Sequence, residues 1–308
     1  MRHVFNVLGM MLLVVCLSSC SSNDEENNVK DQQVEIQNDA AYEELRSRIH
    51  ELNMEFGGSN WSEQTRLRLP RWFSRVYTLV VSDAVGAILG SGGGLAGAII
   101  GAGVASASAC VAYSTGLVEV PCINSPANYA QLKMMAMDGL IFADSLSATK
   151  SDSIGYYHNS VLFSLYEDAP ELLDSLGDNH TCLFDSIASR HELFGCNTIE
   201  LPDSFVVETD TLIQDFLQHA RYSDNLTNLP SGIFWQAHNI EYFLVIDYFN
   251  YLLDQDESFD VKQYTSRYLK TITASDLHPE QKEAVKYAIT VGYSSLKLWK
   301  SGAIKGIE

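Results

Sequence analysis

The chain has 308 residues, of which 46% are hydrophobic and 19% charged, and its 39 acidic against 20 basic residues give a formal charge of −19. That length and apolar content are enough for a sizeable core and argue against a disordered chain. The acidic excess repels phosphate, whose binding needs clustered Lys and Arg, so nucleic acids and anionic lipid heads are excluded as partners. The acids are scattered rather than spaced as an oxygen cage, which predicts solubility rather than a metal site.

Arg2 precedes an apolar run from Val4 to Leu17 that is too short to span a bilayer, and the run closes on Leu17-Ser18-Ser19-Cys20. This order predicts an export signal over residues 1–19 and a lipidated mature N-terminus at Cys20. It resembles bacterial lipoprotein signal peptides. The following Ser21-Ser22-Asn23-Asp24-Glu25-Glu26 looks like the acidic surface-export tag of Bacteroidetes lipoproteins, and Ser21 rather than Asp after the cysteine implies the outer membrane by the same resemblance. The polar stretch over 20–39 reads as a flexible tether to a helical domain over 40–308.

In that domain Tyr42, Leu45, Ile49, Leu52 and Phe56 recur at three and four residues, the spacing of a helix with one apolar stripe. Gly57-Gly58 end it, and Pro70 is placed to open the next helix. From Ala84 to Val118 there is no Asp, Glu, Lys or Arg. Within this run Gly86, Gly90, Gly94, Ala98, Ala102, Ser106 and Cys110 repeat every four residues, beside a second row of Gly93, Gly97, Gly101, Ala105 and Ala109. Small residues at that spacing let two helix backbones approach closely, in a membrane or in a tight core. The segment is long enough to span a bilayer. It is rich in Gly and Ala rather than Leu, however, so its transfer into lipid gains little, and a buried helical hairpin turning at Gly92-Gly93-Gly94 is the reading preferred over membrane insertion.

The remainder predicts helix after helix: one begun by Ser125-Pro126, then segments near 153–167, 181–194, 209–222, 234–253, 261–273 and 279–299. Leu201 to Val207 reads as a short strand, and clusters such as Gly195-Cys196-Asn197 and Asn228-Leu229-Pro230-Ser231-Gly232 as turns. No sheet is predicted, so the fold is expected to be all-α, a multi-helix globular domain around the Gly/Ala-rich hairpin. Cys110, Cys122, Cys182 and Cys196 follow Cys20, and an exported chain permits disulfides. Three pairings are possible; Cys110 with Cys122 and Cys182 with Cys196 close the shortest loops, while four unpaired thiols acting as small hydrophobes are the plain alternative. No pair has zinc-ligand spacing.

Two His-Asn pairs stand out as a possible polar site, His158-Asn159 and His238-Asn239. Aligning them brings Leu172-Leu173-Asp174 onto Leu252-Leu253-Asp254, a faint hint of a duplicated unit in which both histidines would meet as bases or ligands. The plainer reading makes them core or capping residues, since a neutral imidazole needs only one partner. Catalytic signatures are missing. His191-Glu192 has Gly195 where a zinc-protease helix needs a second His, no G-x-S-x-G elbow occurs, and Gly90-Ser91-Gly92-Gly93-Gly94 lacks the Lys that would hold phosphate. Acids such as Glu167-Asp168 or Asp254 and Asp256 are too common a pattern to nominate a glycosidase pair. No catalytic residue, metal or cofactor is therefore assigned.

Arg71-Trp72, Ser82-Asp83-Ala84-Val85-Gly86-Ala87, the glycine zipper, Gly155-Tyr156-Tyr157-His158-Asn159 and the tail Ala288-Ile289-Thr290-Val291-Gly292-Tyr293-Ser294-Ser295-Leu296-Lys297-Leu298-Trp299 occur in that order. Together they resemble a group of uncharacterised Bacteroidetes lipoproteins that carry a glycine zipper, a G-x-x-H-N motif and a C-terminal Y-S-x-x-x-W helix. The resemblance implies an architecture and no activity. Gly292 stands where alanine is expected, a change that helix propensity alone makes minor. The function expected is that of a surface-exposed outer-membrane lipoprotein with a binding or structural role toward a protein or glycan partner. A membrane-inserting or pore-associated protein using residues 84–118 is the alternative, and a hydrolase using His158 and His238 the third.

Overall fold

A computed structural model describes residues 24–57, 71–114, 154–169, 180–190, 201–222, 235–236, 238–253, 255 and 258–303. The expected signal segment, Cys20, the helix after Ser125-Pro126, Cys122, Cys196 and the Leu172-Leu173-Asp174 triplet lie outside them. Among the described residues the regular structure is all helix, with no strand: α1 (Asp24–Gly57), α2 (Arg71–Gly90), α3 (Gly94–Ser114), α4 (Ile154–Asp168), α5 (His180–Ala188), α6 (Asp203–Tyr222), α7 (Asn239–Leu253), α8 (Val261–Thr273) and α9 (Pro279–Ala303). The fold is an all-α, multi-helix globular domain.

The hairpin of α2 and α3 forms its centre, as the run of small residues predicts. A 3₁₀ turn over Ser91–Gly93 reverses the chain, and Gly94 enters α3 at φ +67, a left-handed conformation that a side chain resists. Where the two helices cross, there is no room for a Cβ. One built on Gly90 would lie 2.1 Å from the Gly97 carbonyl oxygen, and one on Gly86 would lie 2.4 Å from that of Gly101. Backbone therefore rests on backbone. Gly86 and Gly90 of the first row meet Gly97 and Gly101 of the second, while Gly94 serves the turn. Each interior glycine costs a helix about 1 kcal/mol against alanine. The offset is the close packing of Val85, Ile88, Ala98, Ile99, Ala102 and Ala105, all buried.

The other helices wrap this pair. α9 packs along α2, α4 lies against both α9 and α3, α5 lies against α3, and α6 packs on both helices of the pair. Phe205 of α6 covers the turn, 3.3 Å from where a Gly93 Cβ would stand. α4 and α9 also touch through a glycine, since a Cβ at Gly155 would fall 2.0 Å from Ser294 Oγ. α7 and α8 pack on α9 as well and form an aromatic module in which four tyrosine hydroxyls each have a named partner. Tyr264 donates to Asn53 Oδ1 at 2.7 Å, Tyr251 to the Asn53 carbonyl at 3.0 Å and Tyr268 to the Leu244 carbonyl at 2.8 Å, while Tyr248 pairs with Thr265 at 2.6 Å. These bonds let polar tips enter a core without stranding a donor. They also fix α1, whose Leu45, Ile49 and Leu52 are buried and whose Arg48 donates to the Ala274 carbonyl at 3.2 Å.

Capping places the last helices where the sequence puts them. Asp260 accepts the Gln263 N–H at 2.9 Å to start α8, and the His278 N–H donates to Gln281 Oε1 at 3.2 Å ahead of Pro279, the first residue of α9.

Two expectations need correction. Leu201 to Val207 is not a strand, because α6 begins at Asp203: the Pro202 carbonyl accepts from Phe205 and Val206 at 2.9 and 3.2 Å, and Asp203 favours the positive end of the helix dipole. The polar segment expected as a flexible tether over 20–39 is helical from Asp24 onward, continuous with the amphipathic part of α1. Once that part is docked, each further residue propagates an existing helix instead of nucleating one.

Candidate functional site

The first His-Asn pair occupies the most polar place in the core. α4 begins one helical turn before His158, and the Gly155 contact with α9 draws this end of α4 inward, leaving His158 0% and Asn159 2% exposed. Asn159 is oriented by α9, since its Nδ2 donates to the Ser294 carbonyl at 3.3 Å. Its Oδ1 then faces His158 Nδ1 at 3.0 Å, which requires the imidazole proton on Nδ1. That leaves Nε2 as the bare nitrogen, without a hydrogen-bond partner. It points toward Asp83 of α2, whose Oδ2 lies 3.8 Å away and accepts the Ser295 hydroxyl of α9. Asp83 and Ser295 are each 0% exposed.

Burial governs the chemistry of this cluster. It drives the His158 pKa down from 6.5 to about 4, outweighing the opposite pull of the Asn159 side chain and the Ala102 backbone on α3. The ring is thus neutral at physiological pH.

Asp, His and Ser come together here in the wrong order for nucleophile activation. A serine nucleophile must hand its proton to the imidazole, whereas Ser295 donates to the carboxylate. With all three side chains at 0% exposure, no substrate carbonyl reaches them. What the arrangement does is cross-link α2, α4 and α9 around the base of the glycine hairpin.

The second pair is not its equivalent. His238 precedes α7, keeps 34% of its side chain exposed, and places Nδ1 3.4 Å from Glu241 Oε1; its carbonyl accepts the Tyr242 N–H at 3.0 Å. Asn239 is exposed. His238 therefore finishes the first turn of α7, and the two histidines engage different partners. Among the described residues no three His, Cys, Asp or Glu side chains are grouped to hold a metal ion. Cys182 is exposed on α5, and its expected partner Cys196 lies outside the described residues; Cys110 closes the α3 run, where its side chain lies outside the described set.

Asp83, Ser294 and Ser295 complete the cluster, and the sequence alone singled out none of them as site residues. The available signal was Asp83 itself, a carboxylate immediately before a long charge-free run. Comparison with family models, with curated proteins and with solved structures finds no match for this chain.

Proposed function

We propose that this is an exported lipoprotein, anchored through Cys20 in the outer membrane and facing outward, whose helical body has a binding or structural role. The observation that carries the reading is the disposition of the apolar hairpin. Tyr77–Ala109 has the length to cross a membrane and its most apolar window a mean hydropathy of 1.6, yet 67% of that window is buried inside the protein's own helices. A body that keeps its most apolar segment within itself needs another means of attachment, and Leu17-Ser18-Ser19-Cys20 is suited to supply it. The sealed Asp83–His158–Ser295 cluster supports a role other than catalysis.

Metabolic labelling with palmitate in cells expressing the chain tests the anchor, with Cys20→Ala as the control. Label in the parent alone, and loss of the body on protease treatment of intact cells, support the reading. Equal labelling of both chains overturns it. The length and hydropathy of Tyr77–Ala109 also favour a second reading, a membrane-inserting protein, which a lipid-binding measurement separates from the first.

A further inference from the structure

We propose that the His158 cluster is an acid-sensitive latch that keeps α4 closed on the glycine hairpin at neutral pH and lets it open in acid. The inference rests on where the cluster sits. His158 lies at a junction of helices, with Asp83 on α2, Ala102 on α3 and Ser294 and Ser295 on α9 around it, and Asn159 beside it on α4. The titratable group facing it is Asp83, at 3.8 Å. That distance is too long for a hydrogen bond, and the nearer carboxylate oxygen already accepts from Ser295.

A proton added to Nε2 therefore places a cation in a site that is 0% exposed, where the pull of the Asn159 side chain and the Ala102 backbone does not outweigh burial and Asp83 at 3.8 Å supplies no direct hydrogen bond. A buried charge of this kind is costly unless paired and hydrogen-bonded, so protonation favours any conformation in which the ring meets water. Global unfolding is one such conformation. A smaller one is displacement of α4, which uncovers His158 and one face of α3 while leaving the aromatic module of α1, α7 and α8 intact. That module is fastened by its own hydrogen bonds, from Tyr264 and Tyr251 to Asn53, and they involve no residue of the latch. Acid thus has a local route to exposing the hairpin.

Hydrogen exchange on the chain as its own cells process it, in mild detergent and corrected for intrinsic rates, reads this directly. Protection over 77–109 is expected to fall about tenfold or more between pH 6.5 and pH 4.5 while protection over 239–273 holds, and His158→Gln is expected to remove the pH dependence over 77–109. The proposal is overturned if parent protection over 77–109 stays flat, if both regions lose protection together, or if His158→Gln falls with pH as the parent does. Should the glutamine variant fail to fold, the two-region comparison in the parent decides alone.

Discussion

Gly292 on α9 lies directly under the ring of Phe249 on α7: a Cβ at 292 would stand 2.1 Å from Phe249 Cζ and 2.9 Å from Cε2. Phe249 is 2% exposed and meets Tyr248 edge-on, with ring centroids 4.9 Å apart. The ring cannot move without disturbing that pair. The absence of a side chain at 292 is thus a packing requirement, and the expectation that glycine in place of alanine matters little for packing there is corrected.

Gly292→Ala is accordingly expected to destabilise the protein. Alanine gains about 1 kcal/mol of helix propensity, but overpacking a filled core typically costs about 1–3 kcal/mol. Urea denaturation should show a lower midpoint, and Phe249→Leu in the same chain should recover part of the loss. A midpoint raised by Gly292→Ala would mean that propensity, not packing, rules this position.

The hairpin makes a position-specific prediction. Gly97→Ala should cost more than about 2 kcal/mol, because its Cβ would lie 2.3 Å from the Gly90 carbonyl oxygen, a backbone atom that cannot rotate away. Gly92→Ala, whose Cβ would find nothing nearer than Phe205 at 3.9 Å, should fall within about 0.5 kcal/mol of the parent. Thermal unfolding of the two variants side by side measures the contrast.

Stability should decline in mild acid in a way that depends on His158. Its folded pKa, near 4, lies below the ordinary 6.5, so between these values the unfolded chain binds the extra proton and the native state loses stability as pH falls. Above 6.5 the neutral ring is at no disadvantage. The loss approaches ~3 kcal/mol by pH 4, and His158→Gln should flatten that part of the curve of unfolding free energy against pH.

At the alkaline end the aromatic module acts in the opposite sense. Burial raises the pKa of Tyr248, Tyr264 and Tyr268 well above 10 and that of Tyr251 to about 12. The stability these hydroxyls confer is present below pH 10 and is lost as pH rises toward the folded values. Phenolate absorbance from the module should therefore appear only with unfolding. Asn53→Ala, which strands the Tyr264 hydroxyl, should lower stability by about 1–3 kcal/mol, and Tyr264→Phe in the same chain should make the second loss smaller than the sum.

Much of this architecture was legible in the sequence because the forces concerned are local or periodic. The four-residue spacings Gly86 to Gly90 and Gly97 to Gly101 can pack in few ways, and a turn at Gly92-Gly93-Gly94 follows from them. The segments 261–273 and 279–299, the latter opening on Pro279, were similarly visible. What escaped were relationships across the chain. His158 stands out in the sequence, but its partners Asp83 and Ser295 come from α2 and α9, and no spacing rule connects them. Its likeness to His238 was a likeness of dipeptides, and the structure buries one and leaves the other at a helix entrance. Leu201 to Val207 reads as a short strand in isolation, but Pro202 and Asp203 start a helix over it.

The central claim is that the glycine hairpin is the protein's core and not its membrane anchor. The most direct test is liposome flotation with dye leakage at pH 7.4, using chain 21–308, which lacks the signal segment and Cys20 but keeps every described helix. The account predicts that this protein stays in the soluble fraction, leaves vesicles intact and unfolds cooperatively. Flotation with leakage, abolished by Gly90→Leu with Gly94→Leu, would contradict it and make residues 84–118 a membrane-inserting element.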